Sequence, residues 1–269
     1  RVHRRQRQMC IRDSSRVEVN ASGRVMRELN RTEGKSGQNI RLTIETNLQK
    51  FALERLKGMS GSSVLMEIDS GDILSLVSTP SYNPNNFVLG ISQSRWDALL
   101  NDERKPLLNK ATSGAYPPGS TFKMIVAAAA LELGLIGLND KIFCSGFYEL
   151  GSRKFHCWLK GGHGKMSLQE AIQKSCDVYF YELARKVGVK RIGAMAKQLG
   201  LGQSYKLPLT GISKGFVPTK KWKKERFGTS WLVGDTLNIG IGQGFSLATP
   251  LQLAVMTARI ASGREVIPN

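Results

Sequence analysis

An α+β fold is the expectation from this sequence, and three observations carry it. Apolar residues alternating with polar ones, broken by turn residues, fill the first part of the chain. An Ala-rich and almost uncharged run follows Ser120, and helical periods recur from residue 167 to a Thr-Pro start at Thr249. At 269 residues and 41% hydrophobic, the chain suffices for one large domain with its own core plus a small part of another. It is too apolar to be a disordered protein.

Residues 1–15 (RVHRRQRQMCIRDSS) carry charge without period or apolar core. They are expected to be disordered or foreign to the natural chain, and not a secretory leader. Residues 17–29 (VEVNASGRVMREL) predict two short strands about a Ser-Gly turn, 34–37 a loop, and 40–44 (IRLTI) a strand. Leu48, Phe51, Ala52, Leu53 and Leu56 then mark a helix. A hairpin follows, from SSVLMEI (62–68) through Asp69-Ser70-Gly71-Asp72 to ILSLVS (73–78), and Pro80 ends it. Residues 84–106 are loop-like, with one short helix at 95–100.

Tyr116-Pro117-Pro118-Gly119 forms a stiff turn before the run 120–136. That run predicts a helix beginning at Ser120, and its near lack of charge predicts burial at the centre of the fold. Residues 142–165, rich in Gly, Cys, His and aromatics, show no period and are expected to be an irregular excursion. Helices resume at 167–174, 177–187 and 191–199, and 200–229 is mostly loop. Thr249 as N-cap with Pro250 in the first helical position opens LQLAVMTARIA. Residues 265–268 resemble the approach to a strand, so the sequence is expected to stop within a domain.

Lys and Arg number 39 against 21 Asp and Glu, a formal net charge of +18. Such an excess favours polyanionic partners. It gathers in the first sixteen residues and in 214–226 rather than along one helix face, and no nucleic-acid motif accompanies it. A membrane surface or anionic wall polymers are therefore the expected counterpart, and nucleic acid is not. No apolar run reaches eighteen residues, so no membrane-spanning helix is expected within these residues.

The chemistry starts at Ser120 and Lys123. A serine three residues before a lysine at a helix start shares a helical face with it, so the amine can reach the hydroxyl. Serine is a weak nucleophile at neutral pH, and a lysine buried by the apolar helix behind it can serve as base. The helix N-terminus adds backbone N–H groups near a developing oxyanion. An isolated S-x-x-K is more often a cap with a solvated lysine. Ser175-Cys176-Asp177, at a second helix start, changes that balance. Its hydroxyl could relay a proton to a leaving group, and Asp177 could hold Lys123 by a charge-assisted hydrogen bond.

Cys144, Cys157, His163 and Cys176 fall in one region with the spacing C-x12-C-x5-H-x12-C. Three thiolates and one imidazole are a common tetrahedral zinc set. The alternative is a Cys144–Cys157 disulfide, which suits a protein outside the cytoplasm. It leaves Cys176 unpaired and gives His163, set among Gly161, Gly162 and Gly164, no role. A closed structural zinc site uses all four residues and explains how an aperiodic excursion stays ordered, so zinc is the expected cofactor.

S-x-x-K with S-D-N and K-T-G is the known signature of serine β-lactamases and penicillin-binding proteins, and Ser120-x-x-Lys123 paired with Ser175-Cys176-Asp177 matches its first two elements in part. YPPGSTFK (116–123), SCDVYFYELA (175–184) and GIGQGFSLATPLQLA (240–254) closely resemble the transpeptidase domain of class B penicillin-binding proteins, most of all the penicillin-binding protein 2 branch of cell elongation. The resemblance runs from about Val17 to Asn269. It implies a β-lactamase-like fold, a five-stranded antiparallel sheet with helices on both faces, preceded at residues 16–45 by the end of a non-catalytic pedestal; the transpeptidase domain would occupy 46–269.

It further implies acylation of Ser120 by a D-Ala-D-Ala stem peptide or a β-lactam, followed by transfer to an amine on a neighbouring strand. Members of the branch carry a structural zinc in the corresponding region, with carboxylates replacing some thiolates. An inner-membrane anchor upstream, a periplasmic catalytic domain and a membrane glycosyltransferase in an elongation complex are implied as setting and partners.

Two departures stand out. Asp177 occupies a position where the wider family more often has Asn. No Lys-Thr/Ser-Gly triplet follows the second motif: Lys35-Ser36-Gly37 lies too early, and Lys214-Gly215 lacks the middle residue. The chain as given is accordingly expected to be inactive or weak alone. A β-lactamase-like hydrolase, a D,D-carboxypeptidase and a noncatalytic β-lactam sensor or binding module share the motifs and remain alternatives. Gly240-Ile241-Gly242-Gln243-Gly244 lacks the strand and Lys of a phosphate loop and is expected to turn tightly near the active-site floor. Most of Tyr179, Phe180, Tyr181, Trp222, Phe227 and Trp231 are expected in the core.

Overall fold

The structure, a computed structural model, describes residues 13–33, 39–88 and 90–269. It divides into two compact units, Arg1–Leu42 and Thr43–Asn269. The first is the predicted hairpin: β1 (Asp13–Val19) and β2 (Val25–Glu33) pair antiparallel. Asn20 shapes the turn, its Oδ1 accepting from Ser22 N at 3.1 Å and Arg24 N at 2.9 Å. The ladder begins at Asp13, so the last three residues of the segment expected to lack structure are in it. The remainder of that segment, with Cys10, and the loop expected at 34–37 lie outside the described residues.

In the second unit α1 (Thr46–Arg55) precedes the antiparallel pair β3 (Gly61–Met66) and β4 (Ile73–Thr79). Gln49 fastens α1 to β4. Its Nε2 donates to Leu76 O and its Oε1 accepts from Leu76 N, both at 2.8 Å. The strand expected at 40–44 does not form. Ile40 and Leu42 are 85% and 65% exposed and only Ile44 of that face packs on a core cluster, so the alternation has no continuous buried face to fix it. Thr43 Oγ1 donates to Ile73 O of β4 at 2.8 Å and Glu45 N, just beyond, to Leu74 O, but no strand ladder is built on them.

A short helix α2 (Gln93–Asn101) is followed by a single 3-10 turn, Gly119–Phe122, and α3 (Lys123–Glu132). Regular α-helix thus starts three residues later than expected. Its burial is as predicted: Ile125, Val126, Ala127, Ala129 and Ala130 are all in the core.

The 142–165 excursion is not irregular throughout. It holds β5 (Ile142–Cys144), β6 (Phe147–Leu150), β7 (Arg153–His156) and β8 (Gly164–Met166), with β5 paired to β8 and the β6–β7 hairpin nested between them. Strands of three or four residues are too short for a period to show.

Then come α4 (Leu168–Gln173), α5 (Asp177–Val187) and α6 (Val189–Gln198), where the helical periods place them. Two helices were not expected: α7 (Lys220–Phe227), within the predicted loop, and α8 (Val233–Gly240). The chain closes through α9 (Pro250–Ser262), whose Thr249 cap exchanges hydrogen bonds with Gln252 in a capping box.

The main core is helical, with α3 packed on α5 and α6, and α8 packed on α5. A smaller cluster joins Ile73 of β4 to Leu251 and Val255 of α9. Every sheet among the described residues is two-stranded, not the five-stranded sheet that the resemblance implies. Residues 265–268 form no strand; Asn269 alone pairs beside β4, donating to Gly71 O and accepting from Ile73 N.

Candidate active site and metal-ligand cluster

Ser120 sits in the 3-10 turn ahead of α3, and its side chain caps nothing. The simple capping role is thereby excluded. Lys123, the first residue of α3, is 2% exposed. Its Nζ donates to Ser175 O at 2.8 Å, to Ser175 Oγ at 2.9 Å and to Asp177 Oδ1 at 2.7 Å. Those three contacts use the full donor capacity of an ammonium. Ser175 Oγ in turn donates to Ser120 Oγ at 2.9 Å.

The four residues singled out in the sequence therefore converge, with one correction. The spacing of Ser120 and Lys123 implied direct contact, whereas Lys123 reaches the Ser120 hydroxyl oxygen through Ser175. The carboxylate of Asp177 explains this, because it draws the ammonium toward α5 by the stronger, charge-assisted bond.

Ser175 has φ 51, a left-handed conformation that a side chain other than glycine rarely adopts. The conformation turns its hydroxyl and its carbonyl toward the same Nζ. Strain of this kind concentrates at functional sites. Asp177 opens α5, where the positive end of the helix dipole favours a carboxylate. Its second oxygen, Oδ2, accepts from Trp158 N at 3.0 Å. Nothing in the sequence marks that contact, since a backbone N–H has no residue-type signature.

The 240–244 turn lies where the sequence placed it: Gly119 N, one residue before Ser120, donates to Gly242 O at 2.9 Å. Tyr179, Phe180 and Tyr181 are buried, Trp222 and Trp231 are half-buried, and Phe227 is exposed.

The second constellation also assembles. Cys144 ends β5, Cys157 follows β7, His163 precedes β8, and Cys176 is the N-cap of α5. Their ligand atoms all lie within 4.8 Å of one another. His163 Nδ1 is 3.7 Å from Cys144 Sγ and 3.5 Å from Cys157 Sγ. A zinc tetrahedron with Zn–S of about 2.3 Å and Zn–N of about 2.0 Å has S–N edges of about 3.5 Å, so the spacing fits. All three thiols are free and buried, so the Cys144–Cys157 disulfide is not formed.

Burial pushes the Cys176 thiol well above its usual range and lowers His163. A buried cluster of this composition is one that a cation would convert to thiolates and neutral imidazole. His163 Nε2 is buried without a partner, and Trp158 covers that ring edge-on at 5.4 Å between centroids.

Comparisons with known proteins show the family. Residues 61–268 match the family model described as penicillin binding protein transpeptidase domain. Peptidoglycan D,D-transpeptidase MrdA of Escherichia coli (strain K12) is 41% identical over 240 residues, which are 88% of this chain and 38% of that protein. The chain thus spans less than half the length of this curated relative. The crystal structure of Pseudomonas aeruginosa PBP2 in complex with WCK 5153 superposes with a TM-score of 0.81 at 40% identity, covering 84% of this chain and 52% of that one. Helicobacter pylori PBP2, solved in complex with MreC, gives a TM-score of 0.84 at 37% identity, covering 95% and 48%.

Proposed function

The chain belongs to the penicillin-binding protein transpeptidase family, and on that premise we propose that the protein carrying it is a peptidoglycan D,D-transpeptidase working through an acyl-enzyme on Ser120. One observation carries the reading: the unbroken file Ser120 Oγ, Ser175 Oγ, Lys123 Nζ and Asp177 Oδ1, each step 2.7 to 2.9 Å.

The file can be run in two senses. With Lys123 as the neutral amine, the proton leaves Ser120 Oγ through Ser175 as the oxygen attacks the carbonyl of a D-Ala-D-Ala stem. With Lys123 as the ammonium, the donors point toward Ser120, the sense needed to protonate the departing D-Ala amine as its C–N bond breaks. In the second half an acceptor amine attacks the ester, the C–O bond breaks, and the proton returns to Ser120. Asp177 holds Lys123 in place throughout, and Trp158 N holds Asp177. β-Lactams acylate the same oxygen.

Cys144, Cys157, His163 and Cys176 are the residues that would hold zinc, and the bound ion would supply a closed structural tether with no open position for catalysis. Because Cys176 stands between Ser175 and Asp177, that tether also sets where those two side chains begin. The setting is an elongation complex with a membrane glycosyltransferase, on the periplasmic side of the inner membrane. The MreC complex of the Helicobacter relative supports such an assembly, as does a peptidoglycan synthase complex that coordinates polymerization and crosslinking, one chain of which is 34% identical to this one. No helix among the described residues is long and apolar enough to cross a membrane, so the anchor would lie outside them. The net charge of +18 suits that anionic surrounding.

The test is intact-protein mass after incubation of the complete protein with penicillin. An adduct of one penicillin, absent from Ser120→Ala, is the expected result. A folded wild-type protein with no adduct would overturn the reading in favour of a noncatalytic binding module.

A further inference from the structure

Two glycines of the 240–244 turn lie against the two halves of the catalytic array. Gly240, the last residue of α8, packs on α5, the helix that begins at Asp177. A methyl on its Cα would stand 2.4 Å from Ala184 Cβ and 3.1 Å from Phe180 O. Two residues on, Gly242 has φ 71. A methyl there would fall 2.0 Å from Gly119 O and 2.7 Å from Gly119 C. Those atoms belong to the peptide that joins Gly119 to Ser120.

The surroundings leave that peptide little room to yield. Gly119 N donates to Gly242 O at 2.9 Å, and Gly242 N donates to Ile239 O at 2.8 Å, tying the turn to the last turn of α8. Upstream, Tyr116 and Ala248 exchange backbone hydrogen bonds of 2.9 and 2.8 Å. The segment that leads into Ser120 is therefore tied at Gly119 to the turn after α8 and at Tyr116 to Ala248, just ahead of α9, and Gly240 of the same corner is seated on α5.

We infer that Gly240 and Gly242 are positioning residues that fix the Ser120 turn at its working distance from Ser175 and Asp177, by leaving no side chain between the α8 corner and either half of the site. The inference rests on the transpeptidase reading. A side chain at 242 would displace the Ser120 N–H and Oγ and stretch the 2.9 Å bond from Ser175 Oγ. A misplacement of about 1 Å in such an array costs about 100-fold in rate.

The test resolves acylation of the complete protein by a fluorescent penicillin into noncovalent affinity and the acylation rate constant. Gly242→Ala is expected to lower the rate constant about 100-fold with affinity within about threefold. Gly228→Ala supplies the control for backbone strain. Its φ of 68 is similar, but nothing lies within 4 Å of the added methyl, and it is expected to leave both quantities within about threefold.

Gly240→Ala has no left-handed backbone to strain and should slow acylation through its clash with Ala184. Adding Ala184→Gly should restore the rate, and this pair decides the matter if Gly242→Ala does not fold. A Gly240→Ala protein that acylates at the wild-type rate, or a loss that Ala184→Gly does not rescue, would overturn the inference. A wild-type protein that takes no label would overturn the transpeptidase reading and this inference with it.

Discussion

The helical core around α3 and the hairpin excursion from β5 to β8 are held by different forces, and the residues proposed for catalysis stand where the two meet. The core is apolar and continuous: Phe122, Ile125, Val126, Phe180 and Leu183 are all fully buried. The only hydrophobic side chains the excursion buries are those of Cys144, Phe155, Cys157 and Met166, and it leaves Phe143 and Trp158 exposed. Four strands of three or four residues cannot supply a core of their own. Ser175 and Asp177 belong to both regions. They contact Lys123 of the core, while Cys176 between them is a member of the excursion's ligand cluster. A site suspended in this way should lose its chemistry when either support fails, but by separable routes.

The largest effect should come from the core side. Lys123→Met keeps the length of the side chain and removes its nitrogen, breaking the file between Ser175 and Asp177. Acylation by penicillin is expected to fall about 1000-fold, within the span measured for general acid–base groups. Asp177 loses a buried partner, and breaking such a pair costs about 3 kcal/mol or more in stability. Zinc content, measured by atomic emission, should stay at one ion per chain. Loss of the metal from Lys123→Met would mean that the two supports are a single one.

The converse experiment attacks the excursion. Cys157→Ser, or removal of metal with a chelator, should abolish zinc binding while α3, α5 and α8 keep their hydrogen-exchange protection. An ion present at 1000 times its Kd contributes about 4 kcal/mol, so melting should fall by a corresponding amount. Protection of β5 to β8 should vanish, and acylation should fall about tenfold or more as Ser175 and Asp177 lose their anchor. An unchanged melting temperature after metal removal would show that the cluster is three buried cysteines and a half-buried histidine and nothing more.

The same contrast explains what could be read in the sequence. α3 was legible because its alanines and lack of charge leave one interpretation. Ser120, Lys123, Ser175 and Asp177 were legible because motif spacing and helix starts coincide. α7 was not, since KKWKKERF buries little beyond Lys223, paired with Asp235, and reads as a solvated charge run. α8 was missed because VGDTLNIG is short and carries two glycines, one of them packed against α5. IRLTI misled in the other direction, offering an alternating pattern of which only Ile44 meets a core cluster while Ile40 and Leu42 stay exposed. The excursion's strands were invisible, yet Cys144, Cys157 and His163 within it and Cys176 beyond it were not, because a cluster of cysteines and histidine declares itself by chemistry where no period exists.

The smallest effect sharpens the comparison at the joint between the two regions. α4 runs from the end of β8 to Ser175, and its N-terminus is closed by a capping box: Glu170 Oε2 accepts from Ser167 N at 2.8 Å and from Ser167 Oγ at 3.0 Å. The backbone bond from Ser167, followed by its hydroxyl, holds the Glu170 carboxyl below its ordinary value of 4.5. A depressed carboxylate contributes stability that is present above its unfolded pKa and is lost as the pH falls through the folded one. Exchange protection of the Ser167 amide should therefore decline on acidification below 4.5 in the wild type. Glu170→Gln keeps an acceptor oxygen but cannot titrate, so its amide should show a lower protection at neutral pH and no decline on acidification. The side chain is fully exposed, and acylation should not change. Equal pH dependence in both proteins would place the acid sensitivity of this joint elsewhere, among groups of the core or the excursion rather than in the cap that links them.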